Sequence, residues 1–230
     1  MSRFLRHGPI RSIPATVGIL CAACLVQTGR QWQSVFPVER ANLGVKGSNP
    51  WFNLTPGYRL SYRDGLDTDT LTVLAETQRI DGVETRVVED REAHGGKPVE
   101  VTRDYYAIDS ATGDVYYFGE DVDAYKDGAV VGHEGSWRSG EKGAKFGLMM
   151  PADPKPGRRF FQEQAPGVGM DRAEIAARRD RVVTPAGTFP ACVHVVETST
   201  LEKGTEHKWY AAGVGLVRDG KAYLVGYGIQ

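Results

Sequence analysis

Two runs decide the fold class: Val99-Glu100-Val101-Thr102-Arg103-Asp104-Tyr105-Tyr106-Ala107-Ile108 and Val115-Tyr116-Tyr117-Phe118-Gly119. Both are rich in β-branched and aromatic residues and read as strands. Both also carry adjacent large rings, and neighbours on a strand point to opposite faces of its sheet. Tyr105 with Tyr106, and Tyr116 with Tyr117, therefore set one ring on each side. Phe160-Phe161 and Trp209-Tyr210 repeat the pattern. Such a sheet is at least partly covered on both faces, unlike a flat sheet with one wet face. The expectation is mainly β: a single antiparallel, strongly curled sheet, half-barrel or sandwich-like. A curled sheet can enclose a groove for an apolar ligand. The same rings can equally fill an ordinary core.

Working outward, further strands are expected at 58–63, 70–77, 83–89, 129–133, 159–164, 172–183, 191–200, 208–211, 215–218 and 222–227. Turn signals separate many of them: Asp64-Gly65, Asp81-Gly82, Gly95-Gly96, Asp127-Gly128 and Asp219-Gly220. Asp-Gly between β-prone runs is a hairpin signal, because the turn needs positive φ. The run 172–183 is ambiguous: residues 170–179 have helical propensity and Asp171 could cap a helix. Val182, Val183 and Thr184 follow without a break and favour strand. Residues 49–230 thus read as one β-rich domain, preceded by a flexible lead at 31–48 with no clear period.

Residues 134–170 form an irregular Gly/Pro-rich insertion. Long irregular connections are often functional. Its apolar island, Phe146-Gly147-Leu148-Met149-Met150-Pro151, reads either as a lid over a groove or as a loop pinned into the core by Leu148 and Met150. The second reading is preferred. Met149 and Met150 are the candidate ligand-binding residues.

The N-terminus reads as an address. Arg3, Arg6, His7 and Arg11 precede an apolar stretch, 13–26, that is broken by Pro14, Thr16 and Gly18. It falls short of the roughly 20 apolar residues a membrane span needs. A basic start, a short apolar stretch and small residues make a secretory signal helix over residues 1–30, with an uncleaved anchor as the alternative. Cys21-Ala22-Ala23-Cys24 resembles a bacterial lipobox, with Cys24 as the lipid-attachment residue. That pattern wants Leu where Cys21 stands, and both cysteines also fit as small apolar residues. The expected location is the periplasm, the cell envelope or outside the cell, with membrane contact only through this segment.

Export changes the charge balance. Residues 1–30 hold four of the 28 basic residues and no acid, so 24 basic and 29 acidic residues remain, a net of −5. That surface does not suit nucleic acid. Three cysteines exclude a disulfide-dense scaffold.

Motifs for chemistry are scarce. There is no nucleophile elbow, P-loop or dinucleotide fingerprint, so no cofactor is expected. His133-Glu134 begins like a zincin motif, but Trp137 stands at the second histidine. Asp64, Asp67 and Asp69 lack calcium-loop spacing and read as a polar hairpin tip. Glu120, Asp121, Asp123 and Asp127 read as a solvated turn. Cys192 and His194 are the most chemical pair: two apart on a strand, they share a face and are candidate copper or zinc ligands. The alternative is a buried thiol beside a satisfied core histidine.

The stretch Val182-Val183-Thr184-Pro185-Ala186-Gly187-Thr188-Phe189, followed by Cys192-Val193, resembles a signature of many exported bacterial β-rich proteins. Trp209-Tyr210-Ala211-Ala212-Gly213-Val214-Gly215-Leu216-Val217 is similar to their closing element, with Ala212 at the usual proline. The resemblance implies a curled β-sheet and export, and it carries no catalytic residues. The expected function is therefore non-enzymatic binding of an apolar small molecule or an envelope protein. Metal handling through Cys192 and His194 is the alternative.

Overall fold

The structure is a computed structural model, and it describes residues 31–229. The expectations placed on residues 1–30, the signal helix and Cys24 among them, lie outside the described residues.

After a short 3-10 turn (Arg40–Asn42), the described chain is strands and connections. The first group is β1 (Leu43–Gly44), β2 (Tyr58–Asp64), β3 (Asp67–Ile80), β4 (Val83–His94), β5 (Lys97–Asp109), β6 (Val115–Lys126), β7 (Ala129–Gly132) and β8 (Trp137–Arg138). The second is β9 (Lys145–Met150), β10 (Arg159–Phe161), β11 (Glu163–Gln164), β12 (Asp171–Thr184), β13 (Gly187–Ser199), β14 (Glu206–Ala211), β15 (Gly215–Asp219) and β16 (Ala222–Ile229). All named ladders are antiparallel.

The sheet runs β10-β12-β13-β14-β15-β16-β2-β3-β4-β5-β6-β9-β11. Two meanders are joined where β16 pairs with β2, setting Ile229 opposite Tyr58. The path then curls back on itself. The Gln162 N–H, between β10 and β11, donates to the Asp171 carbonyl at 2.8 Å. Strand β10 also packs beside β9. The result is a nearly closed barrel.

Local chemistry explains the hairpins. Asp81 and Gly82 both take positive φ (47° and 77°), as do Asp127 and Gly128 (53° and 82°). That is the two-residue turn whose twist matches its strands. The ambiguous run forms strand β12, not helix. Its register with β13 shifts at three places, letting a 14-residue strand bend around the barrel.

Adjacent rings are buried on both faces. Inside, Tyr106 stacks on Tyr117 at 4.8 Å, and Tyr117 meets Trp137 edge-on at 5.4 Å. On the other face, Phe118 stacks on Phe146 at 4.9 Å, and Tyr116 meets Phe36 at 5.7 Å.

Several boundaries need correction. Residues 31–48 are strapped to the barrel rather than free. Gln33 exchanges two backbone bonds across Arg159 and Phe161, both at 2.9 Å, and β1 pairs with β5. The reason is packing: Phe36 and Val38 lie against the core and Leu43 belongs to it. The segment needs no period of its own to be held. Within 134–170, the apolar island is strand β9, a wall of the barrel, not a loop. Its flanking glycines hid it. Gly147 is needed there, since a Cβ would sit 2.3 Å from the Gln162 carbonyl oxygen. Expected strand 159–164 breaks in two around buried Gln162.

Candidate functional site

The barrel encloses a cavity of about 60 Å³. Alternation along the strands builds its walls. Tyr58 and Leu60 of β2, Leu71 and Val73 of β3, Val88 of β4 and Tyr106 of β5 face it, with Met149 of β9 and Leu216 of β15. Phe52 reaches in from the loop before β2 and lies 5.0 Å from the Tyr106 ring. At about 10–15 Å³ per water-sized site, the space holds a few waters or one end of a ligand, well short of the roughly 300 Å³ of a drug-sized pocket. The tyrosines and aliphatics thus fill most of the interior.

Beside Asn53, Tyr210 and Gly215, the lining also holds three charged residues, Asp104, Lys208 and Asp219. They belong to a buried polar tier. Lys208 Nζ lies 2.9 Å from Glu197 Oε2 and 3.5 Å from Asp219 Oδ2. Gln162 Nε2 donates to the other Glu197 oxygen at 2.9 Å. Asp104 accepts from the Tyr117 hydroxyl at 2.9 Å, and from Tyr106 and Thr102 at 3.3 Å each. The Tyr62 hydroxyl donates to the Leu216 carbonyl at 2.9 Å. Asp69 and Asp90, both buried, meet as a carboxyl pair.

Burial sets the protonation of this tier. Desolvation pushes Asp219 up to about 7, against the pull of Lys208. Desolvation likewise raises Glu197, with Lys208 and Gln162 opposing it. Asp90 stands well above the ordinary carboxylate range, through burial first and then the charge and hydrogen bond of Asp69. Burial beside a second carboxyl thus favours the neutral form of Asp90. Burial alone would depress Lys208, but Asp219 and Glu197 more than reverse it. Lys208 is thus a fixed cation, not an amine nucleophile.

The expected site residues fall in different places. Met149 lines the cavity; Met150 is buried in the wall, its carbonyl accepting from Asn49 Nδ2 at 3.0 Å. Cys192 is fully buried, its sulfur 3.7 Å from the Phe189 carbonyl, and burial pushes its thiol up to about 11. His194 is half-buried on the barrel wall with other partners. Its ring stacks on Trp209 at 4.5 Å and 9°, Nδ1 lies 3.5 Å from Asp180, and Nε2 lies 2.9 Å from His207 Nδ1. Desolvation lowers its pKa, with the Asp180 charge opposing. Among the described residues, no group of three or more His, Cys, Asp or Glu side chains is arranged to hold a metal ion. The 134–170 segment also borders an open cleft of about 240 Å³ lined by Trp137, Arg138, Ala165 and Val168. Neither methionine reaches it.

Two readings of acidic clusters are corrected. Asp69 is not at an exposed hairpin tip but inside the barrel, and Asp67 pairs with His94 at 2.6 Å. Glu120 is buried in strand and Asp121 pairs with Arg138, because β6 runs on to Lys126 where a turn was expected. A signal for this tier existed. Asp90 stands two after Val88, Asp104 two before Tyr106 and Lys208 two before Tyr210, so each charge shares the phase of a core residue.

No family model matches the chain, and no curated protein matches it. Among solved structures, it is similar to the crystal structure of a "putative lipoprotein" from Parabacteroides distasonis ATCC 8503. The match covers 80% of this chain and 100% of the other, at 14% identity and a TM-score of 0.38. That likeness is too distant to bear on function.

Proposed function

We propose that this chain is an exported, envelope-associated protein that holds the apolar end of a small molecule in the mouth of its barrel and performs no reaction on it. The cavity carries the reading: its lining combines apolar and aromatic side chains with the charged Asp104, Lys208 and Asp219. A ligand with an apolar body and a polar group fits that combination. Lys208 is locked between two carboxylates and Asp104 takes three donors, so neither is free to act as nucleophile or base. Met149 contributes to the grip as a wall residue. Export rests on the basic start and short apolar stretch of residues 1–30.

Native mass spectrometry of the untagged protein, isolated from its own envelope fraction, tests this. The expected result is an added organic mass that disappears in Val88→Phe, whose larger ring fills the cavity. A bare polypeptide mass, or an adduct equally abundant in the variant, overturns the reading.

A further inference from the structure

We propose that His194 and His207 form a copper(II) site on the outer wall of the barrel, separate from the cavity. In the β13–β14 ladder, His194 lies opposite Trp209 and Val196 opposite His207. Residues two apart share a face, so the histidines are diagonal neighbours on one side of the sheet. His194 Nε2 and His207 Nδ1 lie 2.9 Å apart. Two neutral imidazoles whose protons sit on the far nitrogens can each turn a lone pair to one cation beside the line joining them.

The surroundings hold one of the two in position. Asp180 Oδ2, which accepts from Trp209 Nε1 at 3.1 Å, lies 3.5 Å from His194 Nδ1. A carboxylate on the far nitrogen of an imidazole fixes its tautomer and strengthens it as a ligand. Trp209 stacks on the His194 ring, and the Arg218 guanidinium covers Trp209 at 4.5 Å. Arg218 adds a positive charge that opposes a cation, and Asp180 offsets it. His207 is exposed, so water completes the coordination.

Geometry selects the metal. With metal–nitrogen bonds of about 2.0–2.1 Å, a 2.9 Å separation subtends an angle of about 90°. That is the angle between neighbouring corners of a square, whereas tetrahedral coordination needs the nitrogens about 3.3 Å apart. Tetragonal nitrogen and oxygen sites suit copper(II), which also binds most tightly among the divalent first-row ions. The sequence pairs His194 with Cys192; the structure replaces Cys192, whose sulfur is buried and turned to the Phe189 carbonyl.

The test is copper(II) titration of the full, untagged chain, followed by electron paramagnetic resonance and calorimetry. One tetragonal copper with two nitrogen ligands is expected. His207→Ala and His207→Gln should each weaken binding at least tenfold while the circular dichroism spectrum stays unchanged. Asp180→Asn should weaken it severalfold, and Cys192→Ser should bind as the parent does. Affinity within twofold of the parent in both His207 variants overturns the proposal, as does loss of binding in Cys192→Ser alone.

Discussion

At the scale of single residues, the informative feature is a set of charges placed where a barrel normally keeps aliphatics. Asp219 is the clearest. The unfolded carboxyl titrates near the ordinary value of 3.8, and the folded one near 7. Between those values the native state holds a proton that the unfolded state has released. Its contribution is therefore fully present below about pH 4 and is lost as pH rises through about 7. Asp219→Asn cannot release that proton. Urea denaturation at pH 5 and pH 8 should show the parent losing roughly 1–3 kcal/mol more than this variant over the interval. Equal losses would show that Lys208 holds Asp219 ionised throughout. The variant must keep Lys208 paired, which Glu197 does at 2.9 Å.

At the scale of elements, the lead and β9 show how a strand barrel is finished by pieces with weak patterns of their own. Phe36 packs against Tyr116 and Phe146 at 5.7 and 6.5 Å, covering rings that would otherwise face water. Phe36→Ala should cost about 1–3 kcal/mol, less than a fully buried phenylalanine because the ring is only half-buried. It should also speed amide exchange in β1 relative to β4. An unchanged denaturation midpoint would mean that the strap is not coupled to the barrel. The hairpins and the two-faced aromatic strands were legible in the sequence, because turn chemistry and period two are local signals. The fate of 31–48 and of 145–150 was not, since a segment held by rings distant in sequence needs no pattern of its own. The polar tier was written in phase with Val88, Tyr106 and Tyr210, but alternation alone cannot tell an inward charge from a loosely kept period. The His194–His207 contact depends on the β13–β14 register, which no local rule supplies.

At the scale of the whole molecule, the barrel depends on pairings between residues far apart in sequence, above all β16 with β2. Such topologies pay their loop-closure entropy before the contacts reward it, and they fold slowly. Removing residues 222–230 should leave a chain that collapses without a cooperative transition. A sharp, single denaturation curve for that truncated chain would show that β2–β6 is a folding unit in its own right. The same pairing has a temporal consequence. Synthesis runs from the N-terminus, so the β2 edge waits for nearly the entire chain before its partner strand exists. Until then, its free N–H and C=O groups are open to any passing strand. A nascent chain that cannot shut itself early stays threadable, which suits passage through a narrow channel. It also leaves a long interval in which that edge can pair with the wrong strand.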